Sequence, residues 1–147
     1  MRRTTRAVAA AAFAGGVGLV AAAPAQAVVE LYDISDATRV AEGAAITGTY
    51  TVTCTEGTDV FVSLSVTQRV SEGRIANGSS FEQWTCEGGE VTLDYEIVAF
   101  TMAFDEGPAV VSGFLQECPT PEQFCGPGTQ LPLQVIEISD EDPYLAE

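Results

Sequence analysis

The sequence predicts an all-β protein of about seven short antiparallel strands braced by two disulfides. Three observations lead there. The stretch ITGTYTVTC places Ile46, Gly48, Tyr50, Val52 and Cys54 on one face and Thr47, Thr49, Thr51 and Thr53 on the other, the period-2 pattern of a half-buried strand. Turn signals recur roughly every ten residues, and no helical period follows the first apolar run. All four cysteines, Cys54, Cys86, Cys118 and Cys125, lie beyond that run, and Cys54 and Cys86 fall on apolar strand faces.

Taken in order, the chain starts with MRRTTR and an Ala/Gly-rich apolar run from Ala7 to Ala23, then Ala25-Gln26-Ala27. Basic start, short apolar stretch and small-residue site read as a signal peptide over 1–27, cleaved after Ala27, and the run is at the short end for spanning a membrane. Residues 28–139 form the β domain and 140–147 an acidic, loose tail. VVELYDI (28–34) is a first edge strand, and the polar, Gly-containing DATRVAEGA after it is a turn. The Ile46 to Cys54 strand leads through TEGTD into DVFVSLSVTQR, with Val60, Val62, Leu64 and Val66 inward and Ser63, Ser65 and Thr67 wet: a hairpin. VSEGRIANGSS reads as a loop, its Asn77-Gly78-Ser79 formally a glycosylation acceptor but read as a turn.

FEQWTC is a short strand with Trp84 and Cys86 on one face. EVTLDYEIVAF follows, with Val91, Leu93, Tyr95 and Ile97 inward. After Ile97 the apolar residues change parity to Val98, Phe100, Met102 and Phe104, which predicts a bulge or bend near Ile97 and Val98. AVVSGFLQEC is apolar on both faces at its start and reads as a central strand. CPTPEQFCGPG is a disulfide-closed loop, and LPLQVIEIS is the last strand, Pro132 favouring an edge. The architecture these elements suggest is an immunoglobulin-like antiparallel β-sandwich, with a closed barrel as runner-up.

Three pairings of four cysteines are possible. Cys54 with Cys86 joins two apolar strand faces, and Cys118 with Cys125 closes a short loop, so these are the expected bridges. On the loop-entropy model they contribute about 3.7 and about 2.5 kcal/mol. Zinc is the competing use of cysteine, but there is no CxxC and no His. Such bridges persist in an oxidising, extracellular compartment.

Composition excludes whole classes of chemistry. The chain has 21 acids and 6 basic residues, the latter all arginine, and no His. Beyond residue 27 only Arg39, Arg69 and Arg74 face those acids, a surface that repels nucleic acid and anionic polymers and keeps the chain soluble and monomeric. Without His or Lys there is no Ser-His-Asp, Cys-His or Ser-Lys arrangement, and no carboxylate pair stands out for glycoside hydrolysis. Asp33 with Asp36, Asp105 with Glu106, and Asp140-Glu141-Asp142 offer oxygen ligands, but none matches a calcium loop. No enzyme activity, cofactor or metal site is expected.

Two stretches are candidates for recognition. The Cys118 to Cys125 ring preorganises Glu122, Gln123 and Phe124, as a protease-inhibitor loop would, against the plainer reading of a staple between strands. Phe100, Met102 and Phe104 would floor a cleft for a small apolar ligand if they do not simply extend the core. GTYTVTC (48–54), VFVSLSVTQ (60–68), the Cys86-Glu87-Gly88 turn and FDEGPAV (104–110) also resemble a family of uncharacterised, exported immunoglobulin-like domains of high-GC Gram-positive bacteria. The resemblance covers most of 42–116 and implies an exported β-sandwich with the first cysteine pair bridged. It implies no activity, cofactor or catalytic residue. The expectation is a secreted binding or interaction module with an unknown protein or a small apolar ligand as partner.

Overall fold

The computed structural model describes residues 30–119 and 125–140. The expected signal peptide (1–27), the loop residues Glu122, Gln123 and Phe124, and residues 141–147 of the expected 140–147 tail lie outside them, while Asp140 itself ends a strand. The strands are β1 (Glu30–Tyr32), β2 (Ala37–Val40), β3 (Ala45–Cys54), β4 (Asp59–Ser71), β5 (Arg74–Thr85), β6 (Gly89–Ala99), β7 (Gly107–Cys118), β8 (Thr129–Gln130) and β9 (Gln134–Asp140), with a 3-10 turn at Ala41–Gly43.

The chain is not a two-layer sandwich. One sheet runs β3-β2-β9-β7-β4-β5-β6, and β6 pairs back onto β3 from Ala45↔Val98 to Cys54↔Gly89, which closes a seven-stranded barrel. The sheet is mixed, because β2 runs parallel to β9 while its other neighbour, β3, is antiparallel. Closure pairs the edges that a sandwich leaves free only where β5 and β6 meet, at Gly78↔Ala99 and Ser79↔Val98. The physical reason the expectation failed lies in the closing contacts. β5 meets β6 only at Gly78↔Ala99 and Ser79↔Val98, and β2 meets β9 only from Ala37↔Ile138 to Arg39↔Asp140. Side-chain alternation reports which face of a strand is buried, not whether its edge is paired.

Both short contacts lie at the same end. There the barrel is sealed, and towards the other end β5 and β6 diverge. Cys54, at the far end of β3, is bridged to Cys86, just after β5, so the disulfide ties the diverging walls of one continuous sheet together. Cys118 is bridged to Cys125.

Most of the predicted core is where the pattern puts it. Ile46, Tyr50, Val52 and Cys54 of β3 and Val60, Val62, Leu64 and Val66 of β4 are buried, as are Tyr95 and Ile97 of β6. Other segments differ. VSEGRIANGSS is no loop: β4 continues to Ser71, the turn is at Glu72-Gly73, and β5 runs unbroken from Arg74 to Thr85. DATRVAEGA contains β2, and Pro132 falls between β8 and β9. Of the expected bulge or bend it is a bend that occurs, slightly later: β6 runs to Ala99 and the chain bends over 100–102 before leading to β7.

Candidate functional site

The candidate recognition residues on 100–104 are not brought together. Phe100 is 64% exposed, Met102 packs partly against the core, and Phe104 is 1% exposed. Phe104 is a plug at the sealed end, its backbone N–H donating to the Gly43 carbonyl at 2.8 Å. Gly43 sits at φ +84, and a Cβ there would meet the Phe104 carbonyl oxygen at 2.0 Å, so both conformation and space demand glycine. Beside it the buried Gln68 donates through Nε2 to the Asp105 carbonyl at 2.7 Å and accepts the Asp105 N–H at 2.8 Å. Of the candidate loop, the structure describes only its bridged ends, Cys118 and Cys125.

Two surface regions stand out instead. The first is the outer face of β7, β4 and β5. Register aligns its residues in rows across the three strands. Gln116, Phe61 and Gln83 form one row, Phe114, Ser63 and Phe81 the next, then Ser112, Ser65 and Ser79, then Val110, Thr67 and Asn77. None of these side chains is charged, in a chain with 21 acids. Phe81 is 67% exposed and its ring centroid lies 6.2 Å from that of Phe61. Phe114 stands two strands away, about 10 Å by the strand spacing of a sheet. Its ring covers Gly128, where a Cβ would come within 1.8 Å of it.

The second region is the seam where β5 and β6 part. It opens on a cleft of about 460 Å³ lined by Thr47, Gly48 and Thr49 of β3, Asp94, Tyr95 and Glu96 of β6, and Glu82 of β5. Tyr95 lies opposite Gly48, and a Cβ on Gly48 would sit 2.5 Å from its hydroxyl oxygen. The glycine therefore makes room for the ring. The Tyr95 hydroxyl donates to the Ser35 carbonyl at 3.3 Å. Burial pushes its phenol up to about 12, the Ser35 hydrogen bond opposing the shift and Asp36 adding to it. Tyr50 donates to Glu82 at 2.6 Å, and burial, reinforced by that carboxylate, pushes its phenol well up too. Trp84 lies beside it, ring centroids 6.4 Å apart, with its indole N–H buried and without a partner among the described residues.

The sequence reading missed both regions. Ser63, Ser65 and Thr67 were legible as a wet face, but that three such faces stand side by side depends on register across strands distant in sequence. The seam depends on where pairing stops. Among the described residues no three His, Cys, Asp or Glu side chains are grouped to hold a metal ion, and no helix is long and apolar enough to cross a membrane. The two disulfides suit an oxidising compartment. Compared with known proteins, the chain matches no family model, no curated protein and no solved structure.

Proposed function

We propose that this chain is an exported, non-enzymatic binding module whose contact surface is the uncharged wall of β7, β4 and β5, and whose partner is a neutral glycan. The observation that carries the reading is the absence of charge from every outward position in those four rows, on a chain otherwise dominated by carboxylates. Export is supported by the leader-like start and by the disulfides.

The chemistry of the wall selects the partner class. Anionic polymers are repelled by the rest of the surface, and cationic ones are drawn to the carboxylates elsewhere. A neutral sugar chain loses nothing to either effect. Its C–H faces pack on the rings of Phe81, Phe61 and Phe114, and its hydroxyls match the Ser, Thr, Asn and Gln side chains between them. Protein-binding hot spots are dominated by Trp, Tyr and Arg, none of which occurs on these rows.

Native electrophoresis through gels containing hydroxyethylcellulose, arabinoxylan or dextran tests this. At least one neutral polymer should retard the protein, and Phe81→Ser should weaken the retardation about tenfold, or about 1.4 kcal/mol, without changing the melting temperature by more than a few degrees. Unretarded migration in every gel, or equal retardation of the variant, would overturn the reading.

A further inference from the structure

The seam between β5 and β6 leaves strand edges without partners. In an antiparallel strand the N–H and C=O of one residue point to the same side, and successive residues alternate. The Phe100 N–H donates to the Asn77 carbonyl at 2.9 Å, which fixes the side to which Asn77 points, and with it Ser79, Phe81 and Gln83. By the same bond Val98, Glu96, Asp94 and Thr92 of β6 point towards β5, while Ala99 donates away, to Ala44. Pairing between the two strands stops at Ser79↔Val98. The seam-facing backbone groups of Thr92, Asp94 and Glu96 therefore have no strand partner among the described residues, and β6 presents an open edge beside the cleft.

We infer that this edge accepts an extended, basic peptide segment by strand addition. A strand laid along β6 would place alternate side chains next to Asp94 and Glu96 on the outer face, where cross-strand pairs of opposite charge are favourable and like charges are not. Its remaining side chains would enter the cleft of about 460 Å³ over Tyr95 and Gly48. The carboxylates that recruit a cationic strand also reject the strands of other copies of this acidic chain, since inward or flanking charge is how open edges avoid pairing with themselves. Recognition thus comes from two sources: the backbone ladder supplies affinity without regard to sequence, and Asp94, Glu96 and Glu82 select for charge. This site is separate from the uncharged wall and does not depend on its occupant.

The probe is a fluorescently labelled heptapeptide of alternating lysine and valine, titrated against the disulfide-bonded protein at low salt and followed by anisotropy. Three comparisons decide the matter. The same peptide methylated at every backbone nitrogen keeps its charge but cannot extend the ladder, and it should bind at least tenfold more weakly. A glutamate–valine peptide should not bind. The Asp94→Asn/Glu96→Gln protein should bind the lysine peptide severalfold more weakly and with a shallower salt dependence. Equal binding of the methylated and unmethylated peptides would reduce the seam to a patch of negative charge, and the absence of saturable binding by the lysine peptide would remove the inference altogether.

Discussion

The two ends of the barrel are held by different physics. At the sealed end, short strand contacts close the ring, Phe104 fills the opening, Gln68 ties down the backbone of Asp105, and Arg39 reaches Asp105 at 3.0 Å and Asp140 at 2.6 Å. At the other end β5 and β6 diverge, and the Cys54–Cys86 bond spans the gap. Around it, Glu117 accepts from the Thr55 N–H at 2.9 Å and the Thr58 hydroxyl at 2.6 Å, and the Cys86 N–H donates to the Thr58 carbonyl at 2.8 Å. The difference teaches that one end is closed by strand pairing around a buried plug, while at the other a covalent bond ties together walls that pairing leaves apart. An open groove can survive in a small domain when a bond, added to the packing beneath it, limits how far it spreads.

The largest expected effect tests the sealed end. Phe104→Ala deletes a fully buried ring and should cost about 3–5 kcal/mol, read as a fall in the urea midpoint at unchanged slope. Phe100→Ala, four residues away on an exposed ring, should stay within about 0.5 kcal/mol. If the two variants cost the same, Phe104 is not the plug described above.

The next effect tests the tether. Cys54→Ala/Cys86→Ala should lower stability by up to about 3.7 kcal/mol. The pattern of amide hydrogen exchange is more telling than the total. Val91 and Leu93, on the diverging part of β6, should lose protection first, while Ile46 and Ile97 at the sealed end keep theirs until global unfolding. Uniform loss along β6 would mean that the barrel opens as a unit and that its two ends are not independent.

These contrasts also mark what the sequence made legible. Alternation within a strand located the inward faces of β3, β4 and β6, because a buried face writes itself into every second residue. It also paired the cysteines, since Cys54 and Cys86 both fell on such faces. What it could not convey was closure. Asn77-Gly78 reads as a turn, yet it lies inside β5: a Cβ on Gly78 would sit 2.4 Å from the Val98 carbonyl oxygen, so the glycine marks the point where two backbones close the ring. A turn glycine and a close-approach glycine look alike in one dimension. β2 escaped notice for a related reason, being four residues long with only Ala37 deeply buried. The parity change after Ile97 marked not a bulge but the bend over 100–102 that ends the strand and leads to the plug.

The smallest effect concerns pH and again separates the ends, because among the described residues the two deeply buried tyrosines, Tyr50 and Tyr95, lie towards the cleft and none lies at the sealed end. Tyr95 ionises at about 12 in the folded chain, against an ordinary value of 10.0. Below pH 10 the phenol is neutral in both folded and unfolded chains, and its contribution is fully present. As pH rises from 10 towards 12 the unfolded chain loses the proton and the folded chain keeps it, so stability falls, and the contribution is gone once the folded phenol ionises. At about 1.4 kcal/mol per unit this amounts to roughly 2–3 kcal/mol from Tyr95. Urea midpoints measured from pH 9 to 11.5 should therefore decline, and Tyr95→Phe, which fills the same space over Gly48 without an ionisable group, should decline less steeply over that interval. Parallel declines would show that Tyr95 meets solvent through the cleft as an ordinary exposed phenol does, and that the seam is wider and wetter than its tether implies.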